Sequence, residues 1–133
     1  NVVPVETELA KGIERFLPEM KDKLTATALR VPIINVSAIE LNVIVLNETS
    51  IEYVNTLLKD KAQSDCFNML AYTDQPLASS DFTHELHSSV IDGSQTRVVG
   101  GKLIKLLTWF DNEWAYANRM LDVAAHWLHK KEH

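Results

Sequence analysis

The chain has 133 residues, 46% of them hydrophobic and 23% charged, a globular balance that supports one core and not comfortably two. A net charge of −5, with no basic cluster longer than Lys130-Lys131, excludes the electropositive footprint of a nucleic-acid surface. No apolar run approaches the about 18 residues of a membrane span, and the single cysteine, Cys66, excludes an internal disulfide and points to a reducing, cytoplasmic compartment.

Asn1 to Val5 reads as a short extended lead-in. A chain that opens on Asn1-Val2-Val3-Pro4 reads as the middle of something longer, so a fragment is expected. Leu9, Ile13, Phe16 and Leu17 then recur at helical spacing, with Thr7 placed to cap the helix and acidic neighbours suited to its positive end. Residues 24–32 read as a strand ended by Pro32. Along it Arg30 shares a face with Leu24, Ala26 and Ala28. An arginine among small and apolar side chains needs an anionic partner, and its fork of donors fits a carboxylate of the chain or a ligand phosphate.

Residues 35–46 read as a second, longer strand whose continuous apolar character predicts a central position. Asn47-Glu48-Thr49 is a turn, and Ser50 caps a helix through about Gln63 with Tyr53, Leu57 and Leu58 inward. Asn35-Val36-Ser37 and Asn47-Glu48-Thr49 match the glycosylation pattern, which without a secretory signal is read as chance. Cys66 falls in a loop with no activating neighbour in sequence and reads as an incidental thiol.

Residues 69–72 predict a short strand, residues 78–82 and 87–91 a strand with its approach, Asp92-Gly93 a turn, and residues 95–98 another strand. His84 and His87 form an H-x-x-H pair without a third ligand at zinc-like spacing, so no metal is expected. After Gly100-Gly101, residues 102–107 form an apolar strand. Trp114, Ala117, Leu121, Ala124 and Leu128 then mark one face of a long helix, expected to be buried, whose start Asp111 or Asn112 can cap. His126, His129 and His133 lie at steps of 3 and 4 on that helix and are expected on a solvated face. The count is about six strands and three helices, mostly adjacent in sequence. It predicts an α+β fold with a mostly antiparallel sheet and helices packed on one face. The four glycines, Gly12, Gly93, Gly100 and Gly101, cannot be arranged as G-x-G-x-x-G, so no dinucleotide-binding unit is written here.

Trp109-Phe110-Asp111-Asn112-Glu113-Trp114-Ala115-Tyr116-Ala117-Asn118-Arg119 closely resembles the C-terminal signature of the phosphorylating glyceraldehyde-3-phosphate dehydrogenase superfamily. The resemblance extends over essentially the whole chain and implies that residues 1–133 are one partial catalytic domain. It implies that Asn112 holds the carboxamide of a nicotinamide ring, with NAD as the cofactor of the full-length enzyme. Thr7 corresponds to a threonine of an anion site, and Arg30, in an Arg-Val-Pro segment like the family's, to a ligand of the sugar phosphate. The glycolytic enzymes usually follow the threonine with glycine; here Glu8 adds a carboxylate, which repels phosphate and blocks close backbone approach. The family's catalytic cysteine and histidine and its Rossmann half lie outside this chain, so no catalytic residue is expected in it. By the same resemblance the full-length enzyme is a homotetramer acting on a sugar-phosphate aldehyde, with no nucleic-acid or membrane partner.

Within the superfamily, Ile91-Asp92-Gly93-Ser94-Gln95-Thr96-Arg97-Val98 and Asn118-Arg119-Met120-Leu121-Asp122 look more like the erythrose-4-phosphate dehydrogenases than the glycolytic enzymes. That subfamily resolves its cysteine thioester with water and feeds pyridoxal-phosphate synthesis. The alternatives are a glycolytic dehydrogenase and, from another class, a non-catalytic interaction module.

Overall fold

The computed structural model describes residues 1–65 and 67–130; Cys66 and His133, both assigned readings above, lie outside the described residues. The chain divides into two compact units, Asn1–Ile34 and Asn35–His133. In the first, strand β1 (Val3–Val5) pairs antiparallel with β2 (Ala28–Arg30), and helix α1 (Leu9–Phe16) and a 3-10 turn (Pro18–Met20) lie between them in sequence. β2 is much shorter than the pattern over residues 24–32 predicts. The chain leaves β1 for α1 soon after Val5, so β1 offers only the three partners from Val3↔Arg30 to Val5↔Ala28.

The second unit is built on a four-stranded sheet in the order β3-β6-β5-β4. β3 (Ser37–Ile44) and β6 (Leu103–Phe110) form an unbroken antiparallel ladder from Ser37↔Phe110 to Ile44↔Leu103. β5 (Ser89–Val99) runs antiparallel to β6, and β4 (Leu70–Thr73) runs parallel to β5. The sheet is therefore mixed and mostly antiparallel, and the fold is α+β as the pattern of elements predicts.

Helix α2 (Ile51–Gln63) is capped by Ser50, whose Oγ accepts the Tyr53 amide at 3.2 Å. It packs against β4 and β5. Its buried residue is Val54, with Leu58 half-buried; Tyr53 and Leu57, expected inward, face water because the contact with the sheet runs one position away from them. The core gathers Val36, Phe82 and Val90 with Ala71, Leu77 and Trp109, and the Phe82 and Trp109 rings stack with centroids 5.5 Å apart.

Three further expectations change. β3 is an edge strand: it pairs with β6 alone, and Ile44 and Leu46 are exposed, so its apolar run does not mark a central position. Residues Ser79–Phe82 form a 3-10 turn instead of approaching a strand; the Asp81 carboxylate accepts the Ala78 amide at 2.8 Å and closes it. Asp92-Gly93 is no turn. β5 continues through it, and between Asp92↔Leu107 and Arg97↔Lys105 it takes five steps to two along β6, a wide bulge. The Arg97 guanidinium donates to the Ser94 and Thr96 carbonyls at 2.9 and 2.8 Å and supports that bulge. The turn into β6 is made by Gly100 and Gly101, both at positive φ, 57° and 69°. Among the described residues no helix is long and apolar enough to cross a membrane.

Candidate functional site

Strand β6 ends at Phe110, and helix α3 (Asn112–Lys130) begins two residues later. Asp111 between them is 1% exposed. Its carbonyl accepts the Ala115 amide at 2.9 Å and its Oδ1 accepts the Trp114 amide at 3.1 Å, so Asp111 caps α3. Its Oδ2 accepts the carboxamide N–H of Asn35 and the backbone N–H of His84, each at 2.8 Å. One carboxylate thus ties the helix start to the approach to β3 and to the loop before β5. Burial pushes the Asp111 carboxyl up, but the amides of His84 and Trp114, the Asn35 carboxamide and the charge of His84 outweigh it and hold it below the ordinary carboxylate range.

Both tied segments carry strained backbone. Val36, next to Asn35, has φ 72° and His84 has φ 63°. Left-handed conformations at non-glycine residues cost about 1–3 kcal/mol each and persist where the surroundings over-determine them. The His84 ring also lies against the Trp114 indole, with centroids 4.6 Å apart.

Asn112 is the first residue of α3 and is exposed. Of the two candidate caps it is Asp111 that caps, which leaves the Asn112 side chain without a hydrogen bond among the described residues. A side-chain amide offers a donor and an acceptor together, the complement of a carboxamide.

Residues 1–112 match the family described as glyceraldehyde 3-phosphate dehydrogenase, C-terminal domain. The chain belongs to that family. Its parent enzymes are oxidoreductases, and the α+β sheet described above is the domain's fold.

The family's other two expected positions lie in the first unit. Helix α1 starts at Leu9, so Glu8 occupies the cap position and its carbonyl accepts the Gly12 amide at 2.8 Å. Thr7 is therefore one residue outside the expected cap; its hydroxyl reaches two residues on to accept the Leu9 amide at 3.2 Å. Glu8 does not cap with its side chain. It pairs with Lys11 at 2.9 Å, both side chains exposed and the pair screened by water. Arg30 ends β2 and is exposed, with no ion pair among the described residues, so the alternative of a buried ion pair is not what the structure shows. The register puts Arg30 opposite Val3, while Thr7 lies beyond Val5 at the other end of the ribbon.

The two histidines flagged as a pair have separate occupations. His84 lies tilted against Trp114, and His87 Nδ1 pairs with the Glu85 carboxylate, whose carboxyl is pushed up by burial but held below its usual range by its bonds to His87. Among the described residues no three His, Cys, Asp or Glu side chains converge as a metal site. Sequence reasoning missed Asn35 and His84 as parts of the α3 corner. Asp111 carried a visible signal, a short polar residue before a helical pattern, but its other two partners are 76 and 27 residues away and leave no local trace.

Proposed function

We propose that this chain is the nicotinamide-anchoring and phosphate-binding part of an NAD-dependent sugar-phosphate aldehyde dehydrogenase whose aldehyde is erythrose 4-phosphate. The observation that carries the reading is the exposed carboxamide of Asn112, without a hydrogen bond among the described residues, on a corner fixed by a buried carboxylate. NAD supplies the hydride acceptor when bound. Asn112 holds the carboxamide of its ring and so selects the face presented to the aldehyde, and orientation of this kind supplies much of an enzyme's rate. Arg30, exposed and without an ion pair among the described residues, offers a two-pronged donor to the sugar phosphate. Thr7 keeps a hydroxyl donor for an anion while its oxygen accepts from Leu9.

The preference for erythrose 4-phosphate rests on the Asp92–Arg97 run and on Glu8. The run is self-contained: Asp92 accepts from Ser94 and from the Trp109 indole, and Arg97 closes on the bulge backbone. It therefore speaks for the subfamily by its sequence, not by a contact with substrate. Glu8 speaks against a bound inorganic phosphate, so water completes the reaction and the product is 4-phosphoerythronate, an intermediate suited to pyridoxal-phosphate synthesis. The full-length enzyme is proposed to be cytoplasmic and homotetrameric.

Steady-state rates of the full-length enzyme with both aldehydes, each with and without phosphate, test the reading. A preference for erythrose 4-phosphate with no phosphate requirement is expected. A strong phosphate requirement with a preference for glyceraldehyde 3-phosphate would assign the protein to glycolysis.

A further inference from the structure

We propose that Asp111 is a positioning residue for the nicotinamide site, setting the direction of Asn112 by clamping the start of α3 to the segments at Asn35 and His84. The inference rests on the reading of Asn112 as the carboxamide anchor and adds what holds that anchor in place.

A helix cap needs one oxygen, and Oδ1 of Asp111 supplies it to the Trp114 amide at 3.1 Å. The second oxygen is spent on something a cap does not require. Oδ2 takes two donors at 2.8 Å from segments far apart in the chain, and each of those segments carries a residue at positive φ, Val36 beside Asn35 and His84 itself. Those conformations hold only where the surroundings dictate them. Asn112 is the next residue along, so its backbone direction follows from the three bonds at Asp111 together. The Trp114 indole lying against the His84 ring adds a second contact between the same first turn and the His84 segment. A side chain that orients a ring must itself be held to within a fraction of an ångström by neighbours that do not touch the ligand. Asp111 has that place: it is buried, fully bonded and adjacent to an exposed amide.

Asp111→Asn separates the two duties. Its carbonyl oxygen still accepts the Trp114 amide, while its NH2 cannot accept from Asn35 or His84. Asn35→Ala leaves the cap untouched and removes one tie. The test is calorimetric binding of NAD and of ADP-ribose, which lacks the nicotinamide, to the full-length enzyme and to Asn112→Ala, Asp111→Asn and Asn35→Ala. Asn112→Ala and Asp111→Asn should each weaken NAD about tenfold, the worth of one well-placed hydrogen bond, and leave ADP-ribose binding unchanged; Asn35→Ala should show a smaller loss of the same selective kind. A selective loss in Asn112→Ala with none in Asp111→Asn overturns the positioning role and keeps the anchor. Equal losses for both ligands in Asp111→Asn show a merely structural residue and also overturn it. No selective loss in Asn112→Ala overturns the anchor and this inference with it. Where Asp111→Asn does not fold, Asn35→Ala decides: a selective loss supports the clamp, and its absence overturns it.

Discussion

Two carboxylates, Asp92 and Asp111, are almost wholly buried in the second unit, and neither faces a lysine or arginine at ion-pair distance among the described residues. Buried charge of this kind survives on hydrogen bonds. Asp92 receives the Ser94 amide and hydroxyl at 3.1 and 2.6 Å and the Trp109 indole at 3.2 Å; Asp111 receives its three donors from three segments. Because the Asp111 carboxyl lies below its ordinary 3.8, its contribution to stability is complete above that value and is lost as the pH falls through the lowered folded value. The melting temperature of the chain should therefore fall more steeply between about pH 5 and pH 2 for the wild type than for Asp111→Asn. At neutral pH the variant should already be less stable by about 1–3 kcal/mol, the cost of leaving buried donors unpaired. Parallel pH curves would show that this carboxylate is not linked to folding. Arg30 poses the opposite case, an exposed charge with no partner among the described residues. Arg30→Lys in the full-length enzyme should weaken sugar-phosphate binding by about 1.5–3 kcal/mol, since a point charge replaces a fork. The melting temperature should hardly move. An unchanged KM for the phosphorylated aldehyde would remove Arg30 from the site.

At the level of elements, the bulge of β5 and the first turn of α3 matter most. The bulge is closed by polar contacts and by the ring of Tyr72. Tyr72 donates to Asp74 at 2.7 Å, and Lys59 lies 5.7 Å above its ring. Burial first, then the Asp74 carboxylate, pushes its phenol up to about 12, so it remains a donor at any physiological pH. A Cβ at Gly93 would fall 1.9 Å from the Tyr72 hydroxyl oxygen and 2.3 Å from Cζ. Gly93→Ala should accordingly cost about 1–3 kcal/mol in urea unfolding, the usual penalty for overpacking. Combined with Tyr72→Ala it should cost clearly less than the two single changes added together, because the second change removes the obstacle. Strict additivity would mean that Tyr72 is not what Gly93 makes room for. Helix α3 departs further from its sequence pattern. Ala115 is its buried residue, while on the face expected to be buried Leu121 and Leu128 are more than 60% exposed and Trp114 is exposed as well. Arg119 fastens it once more, donating to the Asn68 carbonyl at 3.2 Å, and pairs within the helix with Asp122 at 2.7 Å.

At the level of the whole molecule, the proposed phosphate residues and the proposed nicotinamide anchor belong to different compact units. The chain carries no glycine-rich dinucleotide fingerprint. As the proposed anchor, Asn112 would offer NAD one or two hydrogen bonds, each worth roughly 1 kcal/mol net, against the about 8 kcal/mol that micromolar binding requires. The 133-residue chain by itself should therefore show no saturable NAD binding below about millimolar concentration in calorimetry. It should form no NADH with either sugar phosphate. NADH formation by the purified chain, abolished by Cys66→Ser, would overturn that expectation and make Cys66 a nucleophile.

The α+β class, the Ser50-capped helix and the family itself were legible in the sequence, because each shows in local patterns: the order of elements, a cap, an eleven-residue signature. Periodicity also located the strands, but it could not say which of them is an edge. β3 and β6 are both apolar and eight residues long, and only pairing on both sides makes β6 the inner one. The same limit explains Asp92-Gly93, whose turn chemistry suits a bulge equally well once a neighbouring strand continues past it. What tertiary structure alone decided is the α3 corner. Asn35, His84 and Asp111 meet through hydrogen bonds that span 76 and 27 residues, and no local rule of spacing or propensity registers a bond of that length.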